Sequence, residues 1–220
     1  MTASSIDTAA GAASGGTSGA DDGDRLPSVR HALAVISHPG EESCYLGGVL
    51  SRLRRDGARI SVLSLTRGEA APCDTTLERP SVVRPFELQM AGFTLAMTHV
   101  TIADLPDGML GEIPMRRITE LIRREAVQVG ADLLLTVDRG TDGPDDGVTA
   151  EATRLAGRAL GVNVLAWTEG PGDIEVAVDR EIQRCAIRAH HSRRGPYAAR
   201  LAQLTACGDR DSLRWLNRAA

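Results

Sequence analysis

At 220 residues and a formal charge of −4, the chain has the mass for one domain with a real core. Its scattered basic residues build no single-sign field of the kind nucleic acid attracts. Every basic side chain is an arginine, and the absence of lysine excludes Schiff-base chemistry and a P-loop. Cys44, Cys73, Cys185 and Cys207 are widely spaced without a C-x-x-C pair, which speaks for structural thiols rather than a zinc ribbon or a redox dithiol.

Residues 1–25 are mostly Ala, Gly, Ser, Thr and Asp. They hold too little apolar surface to offset the entropy of ordering and read as a disordered leader. Residues 26–220 then alternate short apolar runs with amphipathic stretches, the pattern of a single α/β domain whose crossover helices cover a parallel sheet. Strands are expected at 32–36, 60–65, 99–102, 133–137 and 164–167, each short and several β-branched. The first helix, 44–55, is stopped by Asp56-Gly57, and a second follows at 83–95. After Pro114 a third places Met115, Ile118, Leu121, Ile122 and Val129 on one face, with Glu120 and Arg124 spaced i,i+4 on the other. A fourth is expected at 149–160, then an extra strand near 174–178 and closing helices at 180–189 and 197–204. No apolar run approaches the ~20 residues of a membrane span and the start lacks a secretory pattern, so a cytoplasmic protein without a membrane partner is expected.

In an open parallel sheet, ligands bind outside the carboxyl ends of the strands. The four loops there read SHPGEES, TRGEAA, DLPDGML and DRGTDGPDDG. They bring His38, Glu41, Glu42, Arg67, Glu69, Asp104, Asp107, Asp138, Asp142, Asp145 and Asp146 to one rim. So many carboxylates repel one another unless a cation, an arginine or a polyhydroxy ligand compensates them. Taken singly, each loop has a plainer reading: Glu42 and Ser43 as first-turn residues, 141–147 as a turn, His190 and His191 as a helix C-terminal pair, His31 and His99 as strand-edge or packing residues. No G-x-G-x-x-G follows the first strand, and Gly47-Gly48 suits close helix-to-sheet packing. No G-x-S-x-G elbow is present either.

The ordered series Ser37-His38-Pro39-Gly40-Glu41-Glu42-Ser43, Gly47-Gly48, Thr66-Arg67-Gly68-Glu69, Arg84 with Glu87, Asp107-Gly108-Met109-Leu110 and the late Arg184, Ala186, His190, Ser192 and Arg193 resembles the LmbE/PIG-L family of metal-dependent N-deacetylases and amidases. The resemblance implies a Rossmann-like three-layer α/β sandwich with a mostly parallel sheet. It also implies a divalent metal on His38, Glu41 and Asp146: zinc by family habit, with manganese or magnesium favoured by the second carboxylate. Substrate-side groups carry over as Glu69, Arg84, Asp107 and His190. The family's general base falls on Gly40 and its oxyanion histidine on Gly143, which leaves neighbouring Glu42 and Asp145 as substitutes. The function so implied is hydrolysis of an N-acyl or related bond in a small, glycoside- or amino-sugar-like molecule by metal-activated water. The alternative is a silent or repurposed member that binds a small molecule or protein; self-association is left open.

Overall fold

β1 (His31–Ile36) is buried along its whole length, and its side chains alternate between two cores. Ala32, Ala34 and Ile36 pack on one side with Val49, Leu50, Leu53, Leu88 and Ala91, whereas Leu33 and Val35 pack on the other with Ile118, Ile122, Ala152 and Ala156. Period-two alternation between two helical layers is what a run without polar residues requires of a central strand. The computed structural model describes residues 26–70, 79–138, 143–206 and 208–219. The expected leader, Cys73, Asp142 and Cys207 lie outside them.

The elements follow in order: α1 (Glu41–Cys44), α2 (Gly47–Arg55), β2 (Arg59–Thr66), α3 (Pro80–Thr94), β3 (His99–Leu105), α4 (Met115–Val129), β4 (Leu133–Asp138), α5 (Pro144–Leu160), β5 (Asn163–Thr168), β6 (Ile174–Ala177), α6 (Arg180–Ile187), α7 (Arg194–Ala206) and β7 (Arg210–Asn217). They build a seven-stranded sheet in the order β3-β2-β1-β4-β5-β7-β6. β1 to β5 are parallel, and β7 runs antiparallel to both β5 and β6. The expected three-layer, mostly parallel sheet is therefore what the chain forms. Its strand order reverses between β1 and β4, and at that switch point a crevice opens beyond the strand ends.

The structure departs from the expected elements at four places. The first helix is two, α1 and α2, broken at Tyr45-Leu46. α5 begins at Pro144, not near 149, because proline at the first helical position sacrifices only an N–H that would be unpaired anyway. α3 begins at Pro80 rather than near 83 and, as the expected span already did, runs through Pro85. The missing N–H there leaves the Ser81 carbonyl without its helical donor, and Arg67 Nη1 supplies one at 3.3 Å. Finally, β7 was not expected at all: it buries Asp211 and Leu213 while exposing Arg210 and Arg214, too polar a run to stand out as a strand.

Gly48 shows why α2 opens on glycines. A Cβ there would lie 2.7 Å from Asp211 Oδ2 and 2.9 Å from Val178 Cβ. Asp211 is itself fixed by Arg180 Nη1 at 2.8 Å, so the helix end can approach β6 and β7 only without a side chain.

Candidate active site

His38 leaves β1 in the loop before α1 and stands at the switch point, ringed by carboxylates. Its Nδ1 is 2.7 Å from Glu41 Oε1 and 4.0 Å from Asp146 Oδ1. Its Nε2 is 2.7 Å from Asp107 Oδ1 and 3.4 Å from Asp145 Oδ2. Glu41 arrives from α1, Asp145 and Asp146 from the first turn of α5, and Asp107 from the turn after β3. Burial works against charge on this ring, but hydrogen bonds to Asp107, Asp145 and Glu41 outweigh it and push its pKa up to about 12.

Most of these carboxylates are also anchored to backbone. Glu41 Oε2 accepts from Ser37 N at 3.0 Å. Asp107 Oδ2 accepts from Ala70 N at 2.6 Å. Asp145 takes Gly108 N at 2.7 Å and Leu110 N at 3.0 Å, so one side chain clamps the D-G-M-L turn against α5. Burial raises the pKa of Asp107 and of Asp145, but each is lowered on balance, first by its hydrogen bond to His38 and then by these amides. Thr149, which no motif marked, joins the loops: its hydroxyl lies 2.8 Å from Ser37 Oγ and donates to the Asp145 carbonyl at 2.9 Å. Its only sequence signal is its place four residues after Asp145, one turn along the helix.

The other expected residues form a layer behind this cluster. Glu42 is wholly buried, with Oε2 accepting from Gly40 N at 2.7 Å and Oε1 facing His190 Nε2 at 2.8 Å and Ser43 Oγ at 2.6 Å. Burial raises its pKa, but His190, Ser43 and the Gly40 amide together bring it below the usual range. Glu87 takes the amide and hydroxyl of Ser192 at 2.7 and 2.6 Å. Arg84, buried on the inner side of α3, donates through Nη1 to the Gly68 carbonyl. Glu69 Oε1 accepts from Asp107 N at 3.2 Å and so belongs to the rim. Thus His38, Glu41, Asp107, Asp145 and Asp146 come together, whereas Glu42 and His190 face each other, and Arg84 holds the Gly68 carbonyl while its charge acts on Asp107.

The two glycines at which the resemblance leads one to expect catalytic side chains differ in backbone. Gly40 has φ 106° and ψ −22°, backbone that an L side chain rarely adopts. Gly143 is extended, with φ −151° and ψ 146°, and a Cβ there would meet Asp146 Oδ2 at 3.5 Å, an ordinary contact.

Residues 33–157 match the family model described as PIG-L, GlcNAc-PI de-N-acetylase. The chain belongs to the PIG-L family. No curated protein sequence matches it, but solved structures share its fold. The conserved protein TT1542 from Thermus thermophilus superposes with a TM-score of 0.69 at 20% identity, over 83% of this chain and 93% of that one. The N,N'-diacetylchitobiose deacetylase from Pyrococcus horikoshii gives a TM-score of 0.67 at 16% identity, over 85% and 84%. GalB, the 4-carboxy-2-hydroxymuconate hydratase from Pseudomonas putida, gives 0.69 at 14% identity, over 87% and 98%. The same fold thus carries a deacetylase and a hydratase among these structural neighbours, and the chemistry of this chain has to be argued from its own site. Among the described residues of this PIG-L member, no helix is long and apolar enough to cross a membrane.

Proposed function

We propose that the chain is a divalent-metal-dependent hydrolase that cleaves an N-acyl bond of a small, polyhydroxylated molecule, with the cation held by His38, Glu41 and Asp146. The observation that carries this reading is the convergence of one imidazole and several carboxylates on the switch point. One donor atom each from His38, Glu41 and Asp146 lie within 4.8 Å of one another, so that a small inward adjustment of the side chains would let them share an ion at bond lengths of about 2.0–2.2 Å.

His38, Asp107 and Asp145 meet the same limit, but three of the four oxygens on that side already accept from Ala70, Gly108 and Leu110 amides. Asp107 therefore suits the role of the carboxylate that holds Nε2–H and aims Nδ1 at Glu41 and Asp146. Asp145 suits the role of fastening the 108–110 turn, and Glu42 that of fixing the Gly40 loop. A cation in the site would supply Lewis acidity toward an amide carbonyl and acidify water. With two carboxylates against one nitrogen, the donor set neutralises more charge than a histidine-rich one and is suited to manganese or magnesium as well as zinc. No side chain occupies the family's base position, so proton transfer would fall to carboxylates already at the ion or to a group of the substrate itself.

A second reading is supported by the bare backbone at Gly40 and Gly143: a member that keeps the crevice as a binding site without hydrolysis. One experiment separates them. Protein purified without chelator is assayed for metal by plasma mass spectrometry and for acetate release from N-acetylglucosamine conjugates. About one equivalent of divalent metal, lost in Asp146→Ala, with acetate release that follows the metal, supports the hydrolase. Less than about a tenth of an equivalent and no release favour the binding protein.

A further inference from the structure

The chain's two phenylalanines both face solvent, Phe86 at 65% and Phe93 at 78% exposure. With Val82 at 65% and Met90 at 43% they form a stripe along the outside of α3, at spacings of four, four and three residues that keep them on one helical face. The inner face of the same helix buries Arg84 and Glu87 beside Leu88 and Ala91. α3 therefore turns charged residues inward, where they hold Gly68 and Ser192, and apolar ones outward. Its exposed residues are Val82, Phe86, Gln89, Met90, Phe93 and Thr94, none of them charged. On the opposite layer, α4 exposes Arg116, Arg117 and Arg124, the ordinary composition of a solvated helix.

We propose that this outer face of α3 is the contact between two copies of the chain, paired about a two-fold axis that sets Phe86 and Phe93 of each against the other. Aromatic and methionine side chains without charge are the composition of an interface core. A two-fold axis requires the patch to match itself, which an uncharged stripe does without opposing like charges. At the exposures given, and at roughly 150–200 Å² for a whole large side chain, the stripe offers about 450 Å² per copy. Pairing two withdraws up to about 900 Å², just under the ~1,000 Å² floor for a specific contact and in the range of a weak, reversible pairing.

The chain's own segments outside the described residues do not supply a match. Residues 1–25 contain only Met1 and Ile6 as large apolar groups, and residues 71–78 only Leu77. A membrane surface is a poorer match, because a helix lying in lipid presents a cationic face to water and the polar face of α3 is packed into the protein.

Sedimentation velocity of the full chain from about 1 to about 100 µM tests the proposal. The wild type is expected to sediment as two chains, and Phe86→Asp with Phe93→Asp to raise the dissociation constant at least ~100-fold while far-UV circular dichroism is unchanged. Should the acidic pair fold poorly, Phe86→Ser with Phe93→Ser gives the same comparison. A wild type that stays monomeric over this range overturns the proposal, whether or not it cosediments with phosphatidylcholine vesicles. So does an oligomer that a well-folded double variant leaves intact.

Discussion

Glu42 and His190 meet at 2.8 Å across 148 residues of sequence, and neither side chain reaches solvent. The contact ties the loop after β1 to the turn after α6, and it sits directly behind His38. A carboxylate so placed stabilises the fold only while its partners are present, since an unpaired buried charge costs several kcal/mol. Glu42→Ala is therefore expected to lower the unfolding free energy by about 3–5 kcal/mol. His190→Ala should lower it comparably, and the double variant by less than the sum, because both remove one shared interaction. Urea denaturation of the four proteins measures this. Additive losses would show that the two residues act independently, against the geometry.

Gly40 and Gly143 differ in what they permit. Returning a carboxylate by Gly40→Asp places a side chain on backbone at φ 106°, with an expected loss of about 1–3 kcal/mol and displacement of the Glu42 bond to the Gly40 amide. Gly143→His meets extended backbone and a 3.5 Å neighbour, and it should leave stability within about 1 kcal/mol of wild type. Thermal melts of the two single variants decide the point. Equal stability for both would mean that the loop after β1 relaxes freely, contrary to the amide bonds that hold it.

The parallel core was legible because its strands carry unbroken apolar runs, Ala32 to Ile36 above all, and because the polar loops follow those strands in order. The convergence of His38, Glu41, Asp145 and Asp146 was readable for the same reason: strand ends at a switch point share one crevice. What escaped depends on contacts far apart in sequence. Nothing near Glu42 announces His190, so its buried partner was invisible, and so was the bond between Asp107 and His38 Nε2. β7 was missed because Asp211 is buried only by virtue of Arg180 and Trp167, and the helical start at Pro144 because Gly143 to Gly147 has turn composition. The outward apolar face of α3 could not be read from periodicity, since Arg84 and Glu87 occupy the face that apolar residues would ordinarily fill.

His31 makes stability depend on pH away from the candidate site. It opens β1, is buried, and faces Ser61 Oγ at 2.7 Å. Burial and the nearby Arg59 and His99 lower its pKa below 6.5, while the Val129 backbone and the charge of Asp132 pull it back. Below pH 6.5 the unfolded chain then binds more protons at this residue than the folded one. Stability rises with pH through that window, is complete above it, and is lost as pH falls. His31→Gln should flatten the dependence below pH 6.5, measured as the difference in urea midpoint from wild type. An unchanged slope would place the acid sensitivity elsewhere.

Asp146 offers a direct test of the proposed metal site. It lies in the first turn of α5, with Oδ1 4.0 Å from His38 Nδ1. Exchanging its carboxylate for imidazole would change the proposed donor set from one nitrogen and two carboxylates to two nitrogens and one carboxylate. That removes a negative charge and softens the set, which favours zinc over manganese and magnesium. Asp146→His is therefore expected to retain zinc more tightly than wild type, by about tenfold or more in competition with a chromogenic chelator, while manganese retention falls. Asp146→Asn, which keeps the shape but loses the charge, should weaken both metals. If all three proteins hold zinc and manganese alike, Asp146 is not a ligand, and the cation, if bound, sits on the Asp107 and Asp145 side of the His38 ring.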